Sequence, residues 1–375
     1  MRLADLDTPA LLLDRARLDR NIARMRAQLG QLGGVSHRPH LKTAKSIEVA
    51  RLVAGANGPI TVSTLLEAET FGAAGFADIL YAVGITPNKL DRVIALRRRG
   101  IDLSIVTDNV EAAEAVAAAA RDSGEQIPVL IEIDSDGHRA GVRPDQPDLL
   151  VAIAGALSDG AEVRGIMTHA GGSYDARTRA ELVRIAAQER DAAVACAEVL
   201  RGAGFSAPVV SIGSTPTALS ATDLSGVSEV RAGVYLFFDL VMAGIGVARI
   251  DEIALSVLTT VIGHQREKGW ILVDAGWMAM SRDRGTASQA VDQGYGLVCD
   301  VEGNPFVDLI MVSANQEHGI LAIRDGSSAS LPDLPYGTRL RILPNHACAT
   351  AAQFGEYQVV EDGAVVARWP RFNGW

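Results

Sequence analysis

Short β-rich runs alternate with longer helical segments through the first two-thirds of the chain, and few folds accommodate that pattern. The β-rich runs are Val35–Leu41, Ile60–Ser63, Asp78–Val83, Leu103–Thr107, Val129–Asp134, Val163–His169, Val209–Ile212 and Val230–Leu236. The segments of helical periodicity include Leu65–Ala74, Pro87–Arg99, Asn109–Ser123, Gln146–Leu157 and Ala176–Ala203. Eight strands separated in this way predict an α/β fold, a (β/α)8 TIM barrel.

The pattern changes after about residue 250, where helical periodicity becomes rare. The β-rich runs there are Ile253–Ile262, Gly269–Ala275, Asp308–Ala314, Arg339–Leu343 and Tyr357–Val360. They predict a separate C-terminal β domain. A further β-rich run, Thr8–Leu13, could add a strand to it. The expected division is a barrel over residues 15–250 and a β domain over residues 251–375, to which residues 1–14 contribute a strand.

Composition excludes several classes of protein. Of 375 residues, 48% are apolar and 21% charged, so a large core is expected and disorder is not. The net charge of -10 and the lack of a Lys/Arg stripe argue against a nucleic-acid partner. No apolar signal segment or membrane-spanning run is present, so no membrane association is expected. Three cysteines make no disulfide framework and favour a reducing cytoplasm.

Lysine is rare in this chain, and its placement is therefore informative. Only four lysines occur, and Lys42 and Lys45 stand three apart at the end of the first predicted strand. Lysine forms Schiff bases with carbonyl compounds when burial or nearby cations keep it partly neutral. Lys42, beside His40, is placed to point into a cleft. A surface lysine beside a loop is the plain alternative, and this segment alone leaves it open.

Other unusual residues follow the later strands, and in a barrel the C-terminal strand ends face the active site. They are Arg139 past the fifth strand, His169 and Tyr174 at the sixth, Gly213, Ser214 and Thr215 after the seventh, and Arg231, Gly233 and Tyr235 at the eighth. The Gly-Ser-Thr loop supplies exposed backbone N–H groups and hydroxyls, as a phosphate cradle does. A lysine, a phosphate cradle, an imidazole and an arginine on one face together indicate a pyridoxal phosphate site.

A second candidate site lies in the predicted β domain. In Pro344-Asn345-His346-Ala347-Cys348, residues two apart on a strand would face the same side, so His346 and Cys348 could bind one ion together. An imidazole and a thiolate favour Zn²⁺. Such a pair is weak evidence by itself. His318 is a candidate third participant.

Taken together, these motifs resemble the fold-type III pyridoxal phosphate enzymes of the alanine-racemase-like superfamily, and within it the D-serine dehydratase and D-threonine aldolase group. The resemblance covers essentially the whole chain. It rests on RPHLKTAKS, IEIDSDGHRAGV, THAGGSY, SIGSTPTALS, EVRAGVYLFFD, VDAGWMAMSRDRGTA, NQEHGI and LPNHACAT. One departure is Ala44, where many relatives carry a second histidine.

The resemblance implies a role for each candidate residue. Lys42 is the Schiff-base lysine, and His169 lies against the cofactor ring. Arg231 faces the pyridine nitrogen, and His346 and Cys348 bind zinc, with Mn²⁺ or another divalent ion as an alternative. The other cofactor contacts are Arg139, Tyr174 and, around the phosphate, Gly213, Ser214, Thr215, Gly233 and Tyr235. Relatives of this kind also imply a homodimer in which the β domain of one subunit covers the barrel mouth of the other.

The function implied is elimination of water from a D-β-hydroxy amino acid, giving a 2-oxo acid and ammonia. The favoured substrate is D-threo-3-hydroxyaspartate, which yields oxaloacetate, with D-serine and D-threonine as further candidates. Cleavage by a D-threonine aldolase is the main alternative, although such aldolases more often carry an HxD pair. A racemase would need a tyrosine base that residues 274–283 lack. A non-enzymatic cofactor-binding regulator would leave His346 and Cys348 unexplained.

Overall fold

The computed structural model describes residues 1–375, and the chain forms two compact units. The first, here called the α/β unit, comprises Arg24–Gly233 with Gly374–Trp375. The second, here called the β unit, comprises Met1–Ala23 with Val234–Asn373. None of the helices combines the length and the apolar character that crossing a lipid bilayer requires.

The secondary-structure elements are numbered in chain order. The strands are β1 (Ala10–Asp14), β2 (Ser36–His37), β3 (Ile60–Val62), β4 (Asp78–Gly84), β5 (Asp102–Thr107), β6 (Pro128–Ile133), β7 (Glu162–Thr168), β8 (Val209–Ile212), β9 (Glu229–Val230), β10 (Leu255–Gln265), β11 (Trp270–Val273), β12 (Leu297–Cys299), β13 (Pro305–Ala314), β14 (Gly319–Ile323), β15 (Arg339–Leu343), β16 (Glu356–Glu361) and β17 (Ala364–Pro370). The α-helices are α1 (Arg15–Gln31), α2 (Ile47–Ala54), α3 (Leu65–Ala73), α4 (Leu90–Arg98), α5 (Val110–Ser123), α6 (Pro147–Ser158), α7 (Arg179–Gly202), α8 (Thr215–Ser220), α9 (Leu240–Gly244), α10 (Trp277–Met280) and α11 (Ala347–Ala351).

The α/β unit contains an eight-stranded parallel sheet in the order β2-β9-β8-β7-β6-β5-β4-β3. A parallel bridge between His40 and Thr61 links the two ends of this sheet. Its strands are apolar along almost their whole length, as strands buried on both faces are. One cluster of the core consists of Leu80, Val106, Leu130 and Met167, on four consecutive strands. A strand is present at each of the eight β-rich runs that the sequence indicated.

Local signals set the helix ends in this unit. The Asn109 side chain accepts a hydrogen bond from the Ala112 amide at 2.8 Å and caps the start of α5. That helix ends at Gly124, which adopts the left-handed conformation that glycine tolerates best. At α7 the side chains of Thr178 and Glu181 form a reciprocal capping box. The predicted helix positions therefore agree with the observed ones to within a few residues.

The first and last predicted barrel strands are shorter than expected. Of Val35–Leu41 only Ser36–His37 is strand, because Pro39 has no amide hydrogen to contribute to a ladder. Of Val230–Leu236 only Val230 is strand, and Val234–Leu236 forms a 3-10 helix. The lysine loop and the end of the eighth run are thus irregular backbone positioned by tertiary contacts.

The β unit is a nine-stranded sheet in the order β11-β14-β13-β12-β15-β10-β1-β16-β17. An additional pairing of β10 with β11 closes six of these strands on themselves. Strand β1 lies between β10, to which it is antiparallel, and β16, to which it is parallel. Strands β12, β14 and β17 were not predicted from the sequence. Strand β12 has only three residues, and periodicity gives little signal over such a length.

Candidate active site

The carboxyl ends of the parallel strands carry most of the residues that the sequence analysis selected. They are Lys42 in the turn after β2, Arg139 in the loop after β6, His169 directly after β7, Gly213 directly after β8 and Arg231 directly after β9. Parallel strands of one sheet end at the same edge, so residues nearly two hundred positions apart in sequence become neighbours.

Electrostatics confirm that these residues form one cluster. Burial lowers the pKa of His169 well below its ordinary value, and Arg139, Lys42 and Arg231 lower it further. Burial also lowers the pKa of His40, and the same three cations add to that shift. Both imidazoles are therefore neutral near pH 7, in a region where the fixed charge is positive. Such a region favours an anionic ligand.

The two lysines of the motif differ in their surroundings. Lys42 is exposed in this single chain, and its backbone amide lies 3.4 Å from His40 Nδ1. Lys45 is ion-paired instead, with its Nζ 3.3 Å from Oε1 of the buried Glu67. An amine that is already engaged by a buried carboxylate is not free to approach a carbonyl group. Of the two amines, that of Lys42 is the one suited to covalent chemistry.

Arg231 is buried and held in one orientation. Its Nη1 donates to Ser211 Oγ and its Nη2 donates to the Thr168 carbonyl, each at 2.6 Å. Ser211 Oγ in turn donates to Glu229 Oε1 at 2.5 Å. Burial lowers the pKa of Arg231, whereas nearby carboxylates, led by Glu229, oppose that shift. The guanidinium is thus a fixed cation with a hydroxyl and a carbonyl as direct partners.

The ring of His169 is fixed from two sides. Its Nδ1 lies 2.9 Å from the Gly213 carbonyl oxygen, which can only accept, so Nδ1 carries the proton and Nε2 is the acceptor of the neutral ring. The Tyr174 ring stacks against it, with centroids 6.1 Å apart and planes 26° apart. Tyr174 therefore contacts the imidazole that was predicted to lie against a cofactor.

The loop Gly213-Ser214-Thr215 differs from the expected open cradle. The Gly213 amide donates to Glu189 Oε1 at 3.2 Å, and the Ser214 amide donates to Thr217 Oγ1 at 3.1 Å. The prediction of exposed N–H groups is therefore wrong for these two residues. The reason is local for Ser214, which is the N-cap of α8 and forms a capping box with Thr217, whereas the partner of Gly213 is the distant Glu189 in α7.

Two glycines of the predicted phosphate site are explained by close backbone packing. Gly213 has φ +131, and a Cβ there would lie 2.2 Å from the Arg231 carbonyl oxygen. A Cβ on Gly233 would lie 2.4 Å from the His40 carbonyl oxygen. Neither position has room for a side chain. Tyr235 is fully buried and belongs to the β unit.

The proposed metal pair is not on a strand, so the geometric argument for it was wrong. Strand β15 ends at Leu343, His346 is the extended N-cap residue of α11, and Cys348 lies within that helix. The two side chains nevertheless interact, because a hydrogen bond with Cys348 helps to raise the pKa of His346. The backbone changes from extended at His346 to helical at Cys348, and this change brings the two side chains together. We had expected them to meet because residues two apart on a strand face the same side.

Two carboxylates support this pair. Asp283 Oδ2 lies 3.1 Å from His346 Nδ1, and Asp239 Oδ2 accepts from the Ala347 amide at 2.9 Å. Burial alone would lower the pKa of His346, but Asp283, Cys348 and Asp239 outweigh it and raise that pKa to about 11. With Nδ1 bonded to Asp283, Nε2 is the nitrogen left for an ion. The local charge favours a cation at this position.

His318 is not joined to this pair within the chain. It is exposed in the turn between β13 and β14, with its Nε2 3.1 Å from Asn315 Nδ2. No group of three or more His, Cys, Asp or Glu side chains is arranged to hold a metal ion. Within the chain, His346 and Cys348 lie together and His318 does not join them.

The comparisons with known families and proteins agree with this geometry. Residues 13–241 match the family model described as alanine racemase, N-terminal domain. The chain belongs to this alanine racemase family. Residues 254–360 match a second model, that of a serine dehydratase domain. The two matched regions correspond to the parallel sheet of the α/β unit and to most of the β unit observed here.

Several members of the family are similar over their whole length. A D-threo-3-hydroxyaspartate dehydratase from Delftia sp. is 56% identical over all of this chain and 99% of its own. Its crystal structure, 54% identical, has a TM-score of 0.96 with complete coverage of both chains. A D-serine dehydratase from Dictyostelium discoideum is 31% identical and covers 96% of this chain and 94% of its own.

Two further structures bear on the chemistry. A D-threonine aldolase from Filomicrobium marinum is 27% identical, with a TM-score of 0.82 over 99% of this chain and 96% of its own. A cysteine-to-alanine variant of a D-threo-3-hydroxyaspartate dehydratase is described as being in the metal-free form. It has a TM-score of 0.96 and 54% identity over the whole of both chains.

The residues present fit both groups that the family resemblance implied. In the α/β unit, an exposed lysine amine, a fixed arginine and neutral imidazoles in a positive region fit pyridoxal phosphate, which carries an aldehyde and an anionic phosphate. In the β unit, an imidazole in contact with a thiol and backed by a carboxylate fits a zinc-type ion.

Four residues that shape these sites were missed. His40 stands two residues before Lys42, and Asp283 lies in a quoted motif, so both could have been found from the sequence. Glu189 and Asp239 carry no such signal. Each is a buried carboxylate that accepts backbone amides from other segments of its unit, an arrangement visible only in the folded chain.

Proposed function

We propose that this protein is a pyridoxal phosphate- and metal-dependent dehydratase acting on a D-β-hydroxy amino acid. The preferred substrate is D-threo-3-hydroxyaspartate, which would give oxaloacetate and ammonia, and D-serine and D-threonine are further candidates. The observation that carries the proposal is the contact of His346 with Cys348, because the lysine cluster is suited to every reaction of this family. The similarity to dehydratases over the full chain supports it.

Each group of residues has a defined task in this reaction. When bound, pyridoxal phosphate stabilises negative charge at the substrate Cα, and a divalent ion makes the β-hydroxyl a better leaving group. Lys42 holds the cofactor and, once released by the substrate amine, takes the Cα proton as general base. His169, fixed by Gly213 and Tyr174, would contact the cofactor ring. His346 and Cys348 hold the ion, which we propose to be Zn²⁺, with Mn²⁺ as an alternative.

Arg231 favours elimination over reactions that depend on a strong electron sink. A fixed guanidinium beside the pyridine nitrogen disfavours protonation of that nitrogen. A ring left unprotonated withdraws electrons less strongly, and a reaction whose leaving group is activated by a metal needs less withdrawal. The D-threonine aldolase alternative requires a base for the β-hydroxyl and cleavage of Cα–Cβ. The thiol of Cys348 favours the dehydratase.

Some finer expectations are also proposals. We propose a closed (β/α)8 barrel over residues 15–250 and a β domain over residues 251–375, with residues 1–14 adding a strand. The bridge between His40 and Thr61 supports closure of the barrel. A cytoplasmic location is supported by the three free cysteines. We also propose a homodimer, because Lys42 is exposed in the single chain and the reaction requires exclusion of water.

One assay tests the proposed function. Ammonia and 2-oxo acid are measured with D-threo-3-hydroxyaspartate, D-serine and D-threonine, and glycine is measured as the aldolase product. We expect stoichiometric ammonia and oxaloacetate from the first substrate, loss of both with EDTA, and recovery with zinc. Glycine as the main product would establish the aldolase alternative instead. A protein that binds pyridoxal phosphate and turns over none of the three would support the regulator.

Sedimentation at assay concentration tests the homodimer. We expect a single species of twice the chain mass of 39.5 kDa, with one cofactor per chain. An active protein that sediments as a monomer would contradict this proposal without affecting the chemistry assigned to Lys42.

A further inference from the structure

Glu189 is a buried carboxylate to which the reaction gives no task. It lies in α7, and its side chain is fully buried in the α/β unit. Burial raises its pKa, while the hydrogen bonds from the Ala170 and Gly213 amides lower it. Burying a carboxylate destabilises the folded chain unless the group is well hydrogen-bonded. Because alanine or leucine would form this helix equally well, the carboxylate must have a specific structural role.

A single oxygen of this carboxylate holds two strand ends. Glu189 Oε1 accepts from the Ala170 amide at 2.8 Å and from the Gly213 amide at 3.2 Å. Ala170 immediately follows His169, and Gly213 immediately follows β8. The residues that follow β7 and β8 therefore share one acceptor atom, Glu189 Oε1, at the carboxyl ends of these strands.

These contacts close a ring of hydrogen bonds that includes the imidazole. His169 Nδ1 lies 2.9 Å from the Gly213 carbonyl oxygen, and the amide of the same Gly213 donates to Glu189. The amide next to His169 donates to that same carboxylate oxygen. Moving either amide away from Glu189 would therefore change the distance from Nδ1 to its acceptor, and with it the ring plane and the tautomer.

From this geometry we infer that Glu189 is a positioning residue that sets the orientation and tautomer of His169 by fixing the Ala170 and Gly213 amides. The inference rests on the proposed function only in assigning His169 to the cofactor ring. The carboxylate is fully buried, and its Oε1 contacts only backbone amides. Its effect reaches the reaction through the carbonyl of Gly213 and the imidazole.

The test compares three substitutions at this position with a matched control on the same helix. Glu189→Met fills the space but removes both acceptor contacts. Glu189→Asp keeps the charge on a side chain too short to reach both amides, and it replaces the methionine variant if that does not fold. Glu189→Gln keeps an acceptor oxygen. The control is Glu198→Met, at an exposed position of α7.

Each variant is made in the wild-type and in the His169→Ala background. The readouts are kcat, the absorption maximum of the bound cofactor and the melting temperature. We expect Glu189→Met or Glu189→Asp to lower kcat about ten- to a hundredfold and to shift the absorption maximum in the wild-type background, because two buried donors lose their acceptor. With His169 already removed, the same substitution should lower kcat less than about threefold.

The Glu189→Gln variant distinguishes a positioning role of Glu189 from a general contribution to stability. Glu189→Gln should regain most of the lost kcat and the wild-type absorption maximum, whereas Glu198→Met should change neither. An equal loss in both His169 backgrounds, or a glutamine variant as impaired as the methionine variant, would overturn the inference. A wild-type protein that binds cofactor and shows no elimination would overturn the proposed function, and the absorption maximum would still decide the role of Glu189.

Discussion

The pKa values of His169 in the α/β unit and His346 in the β unit are shifted in opposite directions. In the α/β unit burial and the surrounding cations lower the pKa of His169, and the hydrogen bond with the Gly213 carbonyl opposes them only in part. In the β unit burial also disfavours the charged form of His346, but Asp283 and Cys348 outweigh it and raise its pKa. Residue type therefore says little about charge here. The surroundings of His169 favour an anion beside a neutral imidazole. The surroundings of His346 favour a positive charge, which can be a proton or a metal ion on the imidazole.

The two sites also differ in how the chain builds them. The cluster in the α/β unit draws its members from the ends of five strands, between Lys42 and Arg231. The pair in the β unit comes from three consecutive residues, and only its supporting carboxylates, Asp239 and Asp283, are distant in sequence. A site of the first kind depends on the register of a whole sheet. A site of the second kind depends on a local helix start and on the two carboxylates that contact it.

Removal of the lysine should have the largest effect and should leave the β unit intact. We expect Lys42→Ala to abolish the visible band of the bound cofactor and to lower turnover about a thousandfold or more, because the variant lacks both the covalent attachment and the base. Lys45→Ala is the control, since that lysine is ion-paired with Glu67. Metal content should be unchanged in both. Loss of the band in the Lys45 variant alone would contradict the assignment.

Removal of the thiol should separate the two sites. Cys348→Ser replaces a thiolate with a weakly coordinating hydroxyl, so zinc should be lost from the protein while the visible band survives. We expect elimination to collapse, whereas exchange of the Cα proton in deuterated solvent should continue, because Lys42 needs no metal to act as base. Both activities are measured on one preparation. Full elimination after metal stripping would mean that the metal is structural or absent.

A smaller effect is expected from the carboxylate behind the imidazole. Asp283→Asn keeps the shape but removes the charge that orients His346 through Nδ1. Substitution of such outer partners typically weakens metal binding about ten- to a hundredfold. Zinc titration of the stripped protein measures this directly, with Asp325→Asn on an exposed turn as the control. Unchanged zinc affinity together with unchanged turnover would remove Asp283 from the site.

The smallest expected effect is a dependence of stability on acid. A histidine whose pKa is lowered by folding stays neutral in the folded chain but takes up a proton when unfolded, so stability is full above about pH 6.5 and falls below it. We expect the cofactor-free His169→Asn variant to lose less of its melting temperature between about pH 7 and about pH 5 than the wild type. His318→Asn is the control, and an unchanged slope in the His169 variant would contradict the shift.

Much of the architecture can be predicted from the sequence because the buried faces of helices and strands carry regularly spaced apolar residues. The eight parallel strands and the helices between them were predicted from apolar runs and helical periodicity. The side-chain caps at Asn109 and Thr178 were seen only in the structure. The candidate site residues were placed by one topological rule, that parallel strands end at a common edge. The strands β12, β14 and β17 were not predicted. Strand β12 has only three residues, all buried, so no alternation can be read from it, and β14 and β17 are partly exposed antiparallel strands with a weaker apolar signal.

The sequence by itself determined which reactive side chains this protein has: a lysine, two arginines and imidazoles at strand ends, and a histidine two residues before a cysteine. Only the tertiary structure decided which lysine is ion-paired, that His346 and Cys348 meet at a helix start, and which amides of the Gly213 loop are already bonded. The physical reason is that charge and hydrogen-bond partners come from segments far apart in the chain. Local periodicity does not record those partners, whereas the folded sheet brings them within bonding distance.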